Sequence, residues 1–203
     1  MRVIGQFRKR TDPDQFVWFR SFADMEARRQ ALEGFYYGPI WKAHRNEAND
    51  TMIDSDNVLL LKPARAGSGF QLDSQSRPNL SGPEVPGGIC MVTMYTLKTS
   101  ADEQFITFFE QSIIPALREA GSTIQGYFVT EDAANTFPAL PVREGEHIFV
   151  WVASFASYDD YLSTLRVGSH RTTTLAPALS KWLAKPEEVL ELLPTRRSLL
   201  RHH

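Results

Sequence analysis

The residues best suited to chemistry are Trp41, His44 and Arg45, in the segment Tyr37-Gly-Pro-Ile-Trp-Lys-Ala-His-Arg45. On a helix, Trp41 and His44 are three apart and share a face, and Arg45 is four from Trp41 and nearly joins them. An indole wall, an imidazole titrating near neutral pH and a guanidinium together suit a flat anionic molecule and movement of its proton. His44 would be the acid/base, Arg45 the anion contact and Trp41 the wall. Gly38-Pro39 precedes them and sets a helix N-terminus, which favours negative charge, close by. The competing reading is structural: a tryptophan packed on a sheet, a helix-face histidine and a solvated arginine. His170-Arg171 repeats the ligand-binding pair downstream, with Val167 where a tryptophan would stand.

Other reactive types are less organised. His147 opens an apolar run and reads as a rim histidine. Tyr36, Tyr37, Tyr127, Tyr158 and Tyr161 suit a core better than a pocket. Cys90 lies in an apolar stretch with no activating neighbour, so it reads as inert and buried. Asp54 and Asp56 flank Ser55, an Asx-turn pattern rather than a metal site. No HExxH or comparable ligand spacing, phosphate-binding loop or Gly-x-Ser-x-Gly elbow is present, and no cofactor or metal is implied.

Elements that would position these residues follow from periodicity. Arg2–Lys9 and Phe16–Phe22 read as a hairpin, Asp24–Tyr36 as a helix, and Pro39 starts a continuation through Trp41, His44 and Met52. Val58–Leu61 reads as a strand. Ala64–Gly88 has twelve Gly, Pro or Ser in 25 residues, the composition of a linker. Beyond it, Ile89–Leu97 is a strand and Ser100-Ala-Asp-Glu103 a capping box. Phe105 to Ala120 forms a helix kinked at Pro115 and ended by Gly121. Ile124–Thr130 and His147–Phe155 are strands. A second helical region begins at Ser157, breaks near Gly168 and resumes, and Val189–Leu193 closes the chain. That β-α-β-β-α-β order is ferredoxin-like.

The two parts match each other. Phe16-Val-Trp-Phe-Arg-Ser-Phe-Ala23 and Phe149-Val-Trp-Val-Ala-Ser-Phe-Ala156 share six of eight residues. Gly5-Gln-Phe7 matches Gly126-Tyr-Phe128, His44-Arg45 matches His170-Arg171, and Val58–Pro63 matches Val189–Pro194, all in order. The expected organisation is therefore residues 1–63 as an incomplete module, 64–88 as linker and 89–203 as a complete one. The first module lacks a counterpart to the strand and helix of the second. Strands beside that gap lose backbone partners. Residues upstream of Met1, a partner chain or rearranged pairing would close it, and a homodimer or larger assembly is expected.

The segments FVWFRSFADMEARRQAL, FYYGPIWKAHRNEAN and DSDNVLLLKPA resemble the NIPSNAP family, within the dimeric α/β-barrel superfamily. The resemblance implies an α+β fold with two ferredoxin-like sheets face to face and helices outside. It fixes no activity. The wider superfamily is similar in fold to cofactor-independent monooxygenases, haem-degrading enzymes and stress proteins, an analogy of fold alone. The first expectation is a binding or assembly protein that takes a small apolar or anionic ligand. The alternative is a cofactor-independent oxygenase or isomerase acting on an aromatic or carboxylated molecule.

Composition sets limits. In 203 residues, 42% are hydrophobic and 23% charged, enough apolar surface for a packed core. A net charge of −2 makes nucleic acid and anionic membranes poor partners. One cysteine rules out an internal disulfide, and no apolar stretch approaches the roughly 18–20 residues of a membrane span. A cytoplasmic location is the expectation, and His202 and His203 receive no role.

Overall fold

Six of the eight residues of Ile89–Thr96 are apolar, on both faces of the pleat, the pattern of a strand covered on both sides. This segment is strand β4 of a computed structural model that describes residues 1–72, 77–81 and 88–202, without the side chains of residues 167–173. Parts of the linker and His203 lie outside these residues.

The elements run β1 (Arg2–Lys9), β2 (Asp12–Ser21), α1 (Met25–Tyr36), α2 (Pro39–Asp50), β3 (Leu61–Pro63), β4, α3 (Glu103–Phe108), a π-helical turn (Phe109–Ile113), α4 (Ile114–Glu119), β5 (Thr123–Thr130), β6 (Ile148–Phe155), α5 (Tyr158–Leu179) and β7 (Glu188–Pro194). The fold is mixed α+β. Its strands do not form two sheets face to face. They join edge to edge in one antiparallel sheet, in the order β2-β1-β7-β4-β6-β5-β3.

Two hairpins of this sheet have the same construction. β1 and β2 pair Phe7 with Val17 and Gln6 with Trp18, with a register shift between Val3 and Gly5. β5 and β6 pair Phe128 with Val150 and Tyr127 with Trp151, with a shift between Ile124 and Gly126. Each hairpin pairs with a further strand on its outer edge. β1 pairs Phe7 with Pro194 of β7, and β5 pairs Phe128 with Pro63 of β3.

Side chains alternate between two cores. On one face, Met91 and Tyr95 of β4 and Phe149, Trp151 and Phe155 of β6 pack under Phe105, Phe109 and Ile113. On the other, Cys90, Val92, Val150, Val152 and Leu192 meet Phe7 of β1 and Leu199 and Leu200 of the C-terminal tail. The sheet curls around this second core. Phe19 of β2 lies 5.5 Å from Phe70, and Phe70 lies 4.8 Å from Phe128 of β5, so both ends of the sheet reach one cluster. Residues 199 and 200 are tied in by amides that donate to the Ile4 carbonyl.

Local structure departs from expectation in four places. Asp102, not Ser100, caps α3, its Oδ1 accepting from Phe105 N at 2.8 Å, while Ser100 Oγ sits 3.1 Å from His147 Nδ1. Pro115 does not simply kink the helix. It follows a π turn in which Ile114 N–H reaches back to Phe109 O, giving room for the proline ring. α5 runs unbroken through Gly168, a residue that costs a helix only about 1 kcal/mol. β3 begins at Leu61, where pairing to β5 starts, and the Leu60 and Val58 carbonyls accept instead from the Glu131 and Arg143 amides beyond β5. Gly121 ends α4 as expected, at φ 94°. Among the described residues, no helix is long and apolar enough to cross a membrane.

Burial separates two phenylalanines in matching strands. Phe149 is 0% exposed and Phe16 is 54% exposed. Phe149→Ala should cost about 3–5 kcal/mol, whereas Phe16→Ala should change stability by no more than about 0.5 kcal/mol. Denaturant unfolding midpoints of the two variants test this.

Candidate functional site

The α1–α2 hairpin carries the expected site. Asp24 caps α1 by accepting from Ala27 N at 2.7 Å. Gly38 separates the helices where a Cβ would collide with the Gly34 carbonyl oxygen, and Pro39 fits the first turn of α2. Trp41 then turns back onto α1, with its ring 5.4 Å from Phe35 and 5.0 Å from Tyr36. Tyr36 stacks at 5.7 Å on Phe137, a residue of the loop between β5 and β6. Trp41 is thus a packing residue of an aromatic cluster that docks the helices on that loop.

His44 and Arg45 are exposed, and α2 buries none of its residues. The His44 side chain is 67% exposed and its Nδ1 lies 3.5 Å from Glu47 Oε2, one turn along the same helix. Helical spacing aligns Trp41 with His44 but leaves open which side of α2 meets the protein. The structure turns the indole inward and leaves the imidazole outward. The helix α5 backbone passes through His170 and Arg171, and the side chains of both lie outside the described residues.

The tyrosines do not converge. Tyr36 and Tyr37 belong to the Phe137 cluster. The Tyr158 hydroxyl accepts from Arg10 Nη2 at 3.0 Å, and Tyr161 packs on Phe155. Tyr127 Oη donates to Glu110 Oε1 at 2.6 Å, and Arg65 Nε lies 3.0 Å from the same oxygen. Burial, then the Glu110 carboxylate, pushes the Tyr127 phenol up to about 12, so it stays a donor.

Asp56 N donates to Asp54 Oδ1 at 3.0 Å, the expected Asx turn. Their shared contact lowers the Asp54 carboxyl and raises that of Asp56. With Asn57, Pro141, Val142 and Arg143 they line an open cleft of about 340 Å³. Among the described residues, no three His, Cys, Asp or Glu side chains are placed to hold a metal ion.

One unusual group lies outside the constellations that spacing suggests. Arg28 is only 3% exposed, and donates from Nη1 to Asn135 Oδ1 at 3.0 Å and Thr136 Oγ1 at 3.3 Å, both neutral acceptors. Its Nη2 and the Nη1 of Arg20 on β2 are buried without a hydrogen-bond partner. Burial, then the nearby Arg20 charge, lowers the Arg28 pKa. A signal for it exists in the sequence, because Arg28 stands among Met25, Leu32 and Phe35 on the apolar side of α1. The same region exposes aromatic surface: Trp18 of β2 is 39% exposed, with Arg20 stacked 4.2 Å from its ring centre, beside Phe16.

These features define an α+β protein with a curled, antiparallel seven-stranded sheet. No family model matches the chain, and no curated protein matches it. Among solved structures it is similar to an uncharacterized NIPSNAP domain protein from Burkholderia xenovorans, at 9% identity and a TM-score of 0.42, over 53% of this chain and 94% of that one.

Cys90 is fully buried, and desolvation, slightly opposed by Arg201, pushes its thiol up to about 12. A thiol whose pKa is higher folded than unfolded stabilises the fold below the unfolded value of roughly 8.5, and that contribution fades as pH rises towards the folded value. Native protein at pH 8 should therefore label with a thiol reagent only as fast as it opens, and fully in denaturant. Rapid stoichiometric labelling of the native state would contradict this burial.

Proposed function

We propose that this chain is a NIPSNAP-like assembly protein without a catalytic centre, whose work is association with polypeptide through the outer surface of residues 1–63. The observation that carries this reading is the contrast between two matching strands: β6 is buried along its whole length, whereas β2 ends the sheet with Phe16 and Trp18 exposed. A long unpaired edge beside exposed aromatic rings is a template for strand pairing. The centre of the curled sheet is occupied by the protein's own Phe7, Val150, Leu192 and Leu200. The exposed positions of His44 and Arg45 favour a solvated role over proton transfer in a closed site.

In purified protein the available partner is a second copy, so a homodimer or larger species is expected. Native mass spectrometry beside sedimentation velocity tests this. Wild type should self-associate, with an unfolding midpoint that rises with protein concentration, and Phe16→Asp/Trp18→Asp should be a folded monomer whose midpoint does not depend on concentration. A monomer carrying an additional mass of small-molecule size would overturn the assembly reading in favour of ligand binding.

A further inference from the structure

Deepening that assembly reading, and resting on it, we infer that the gap between β2 and β3 is a docking slot for a partner polypeptide that presents one β-strand followed by an amphipathic helix. The chain contains its own template for this occupant. The β1–β2 hairpin repeats the register and bulge of β5–β6. The contact of β1 with β7, Phe7 opposite Pro194, repeats that of β5 with β3, Phe128 opposite Pro63. Phe7 matches Phe128 and Pro63 matches Pro194 in the internal sequence repeat, so the two contacts are one contact used twice, as about a pseudo-twofold axis.

The halves differ in what lies between their outer strands. Between β6 and β7 lies β4, antiparallel to both, with Val92 opposite Val152 on one side and Leu190 on the other. Among the described residues, the matching strands β2 and β3 have no strand between them and are the two ends of the sheet. Transferred through the repeat, Val152 and Leu190 become Phe19 and Leu59. A strand entering the slot thus sets one apolar side chain between Phe19 and Leu59, both already part of the inner cluster. Its next residue points outward.

A strand alone leaves the outer face bare. In the complete half, the segment after β4 brings Phe105 and Phe109 to 5.0 and 4.7 Å from Phe149. Phe109 also lies 6.3 Å from Trp151, which is 8% exposed where its counterpart Trp18 is 39%. Phe16 and Trp18 call for the same aromatic cover, which only a helix following the strand supplies. Charge adds a requirement. The inner side of the template helix carries a carboxylate, Glu110, and β2 carries the Arg20 guanidinium against the ring of the exposed Trp18, while the unpartnered Arg20 Nη1 and Arg28 Nη2 are buried. The complementary helix is aromatic and acidic on its inner side.

The probe is a synthetic peptide of residues 88–121 of this protein, added to the full chain. Native mass spectrometry should show one peptide per chain, and hydrogen exchange should slow at residues 17–21 and 57–61. Trp18→Asp, an exposed position, should weaken binding at least about thirtyfold without moving the unfolding midpoint, and a Glu110→Lys peptide should bind less tightly than the parent. Slowed exchange confined to Ile148–Phe155 would mean that the peptide displaces β4 itself, and would overturn the slot. Self-association that the peptide neither binds nor dissolves would overturn the slot while leaving the assembly reading intact. A monomer that binds no peptide would overturn both.

Discussion

The ladder on either side of β4 is the constraint on which the rest of the structure depends. In the strand order, β2-β1-β7 lies to one side and β6-β5-β3 to the other, and among the described residues β4 is the only strand that joins them. All eight of its residues pair with β6 and five also pair with β7. Alternate side chains of β4 enter opposite cores, which explains why the strand is mostly apolar on both faces instead of alternating polar and apolar. Met91 and Tyr95 anchor the helices, and Cys90 and Val92 anchor the C-terminal tail and β1. The first and last parts of the chain are therefore held by one strand from its middle.

Elements fixed by local chemistry are legible in the amino-acid sequence. Runs rich in β-branched and aromatic residues mark β1, β2, β5 and β6, Asp24 and Gly38-Pro39 bound the helices, and the matching segments Phe16–Ala23 and Phe149–Ala156 both begin within strands. The joining of β1 to β7 and of β3 to β5 is not legible there, because edge pairing depends on contacts far apart in sequence. The cap at Asp102 is hidden for a subtler reason. Ser100 satisfies the pattern of a capping box, but its hydroxyl is drawn to His147, which only the fold brings near. At the candidate site, spacing sets Trp41 and His44 one turn apart on α2, yet the indole packs on α1 and the imidazole faces water. Spacing cannot give the orientation of α2, which the ring of Tyr36 and the loop residue Phe137 decide.

That orientation bears on chemistry. An imidazole in water beside a carboxylate one helical turn away is an ordinary surface pair, worth little and screened by salt. Proton transfer in a catalytic site needs a base within reach of a held substrate and walls that exclude water. Among the desolvated groups, Cys90, Tyr127 and Arg28 are poor bases, because burial keeps the thiol and phenol protonated and the guanidinium remains a donor, whereas burial raises the Glu187 carboxyl.

Among the described residues, the two end strands of the sheet, β2 and β3, are not alike, and the difference bears on which one would pair first in the proposed association. β3 is three residues long and ends at Pro63, which has no amide to donate, and both features blunt an edge against foreign strands. β2 is ten residues long, and its proline is Pro13, near the hairpin turn and away from the segment Phe16–Ser21. That segment contains no lysine, and its one charge, Arg20, lies against the ring of Trp18. A protein that needed only to protect itself would guard the longer edge more heavily than the shorter. Here the guard stands on the short strand and the long one is left receptive, so an incoming strand would register first on β2, and pairing with β3 would follow as the slot closes.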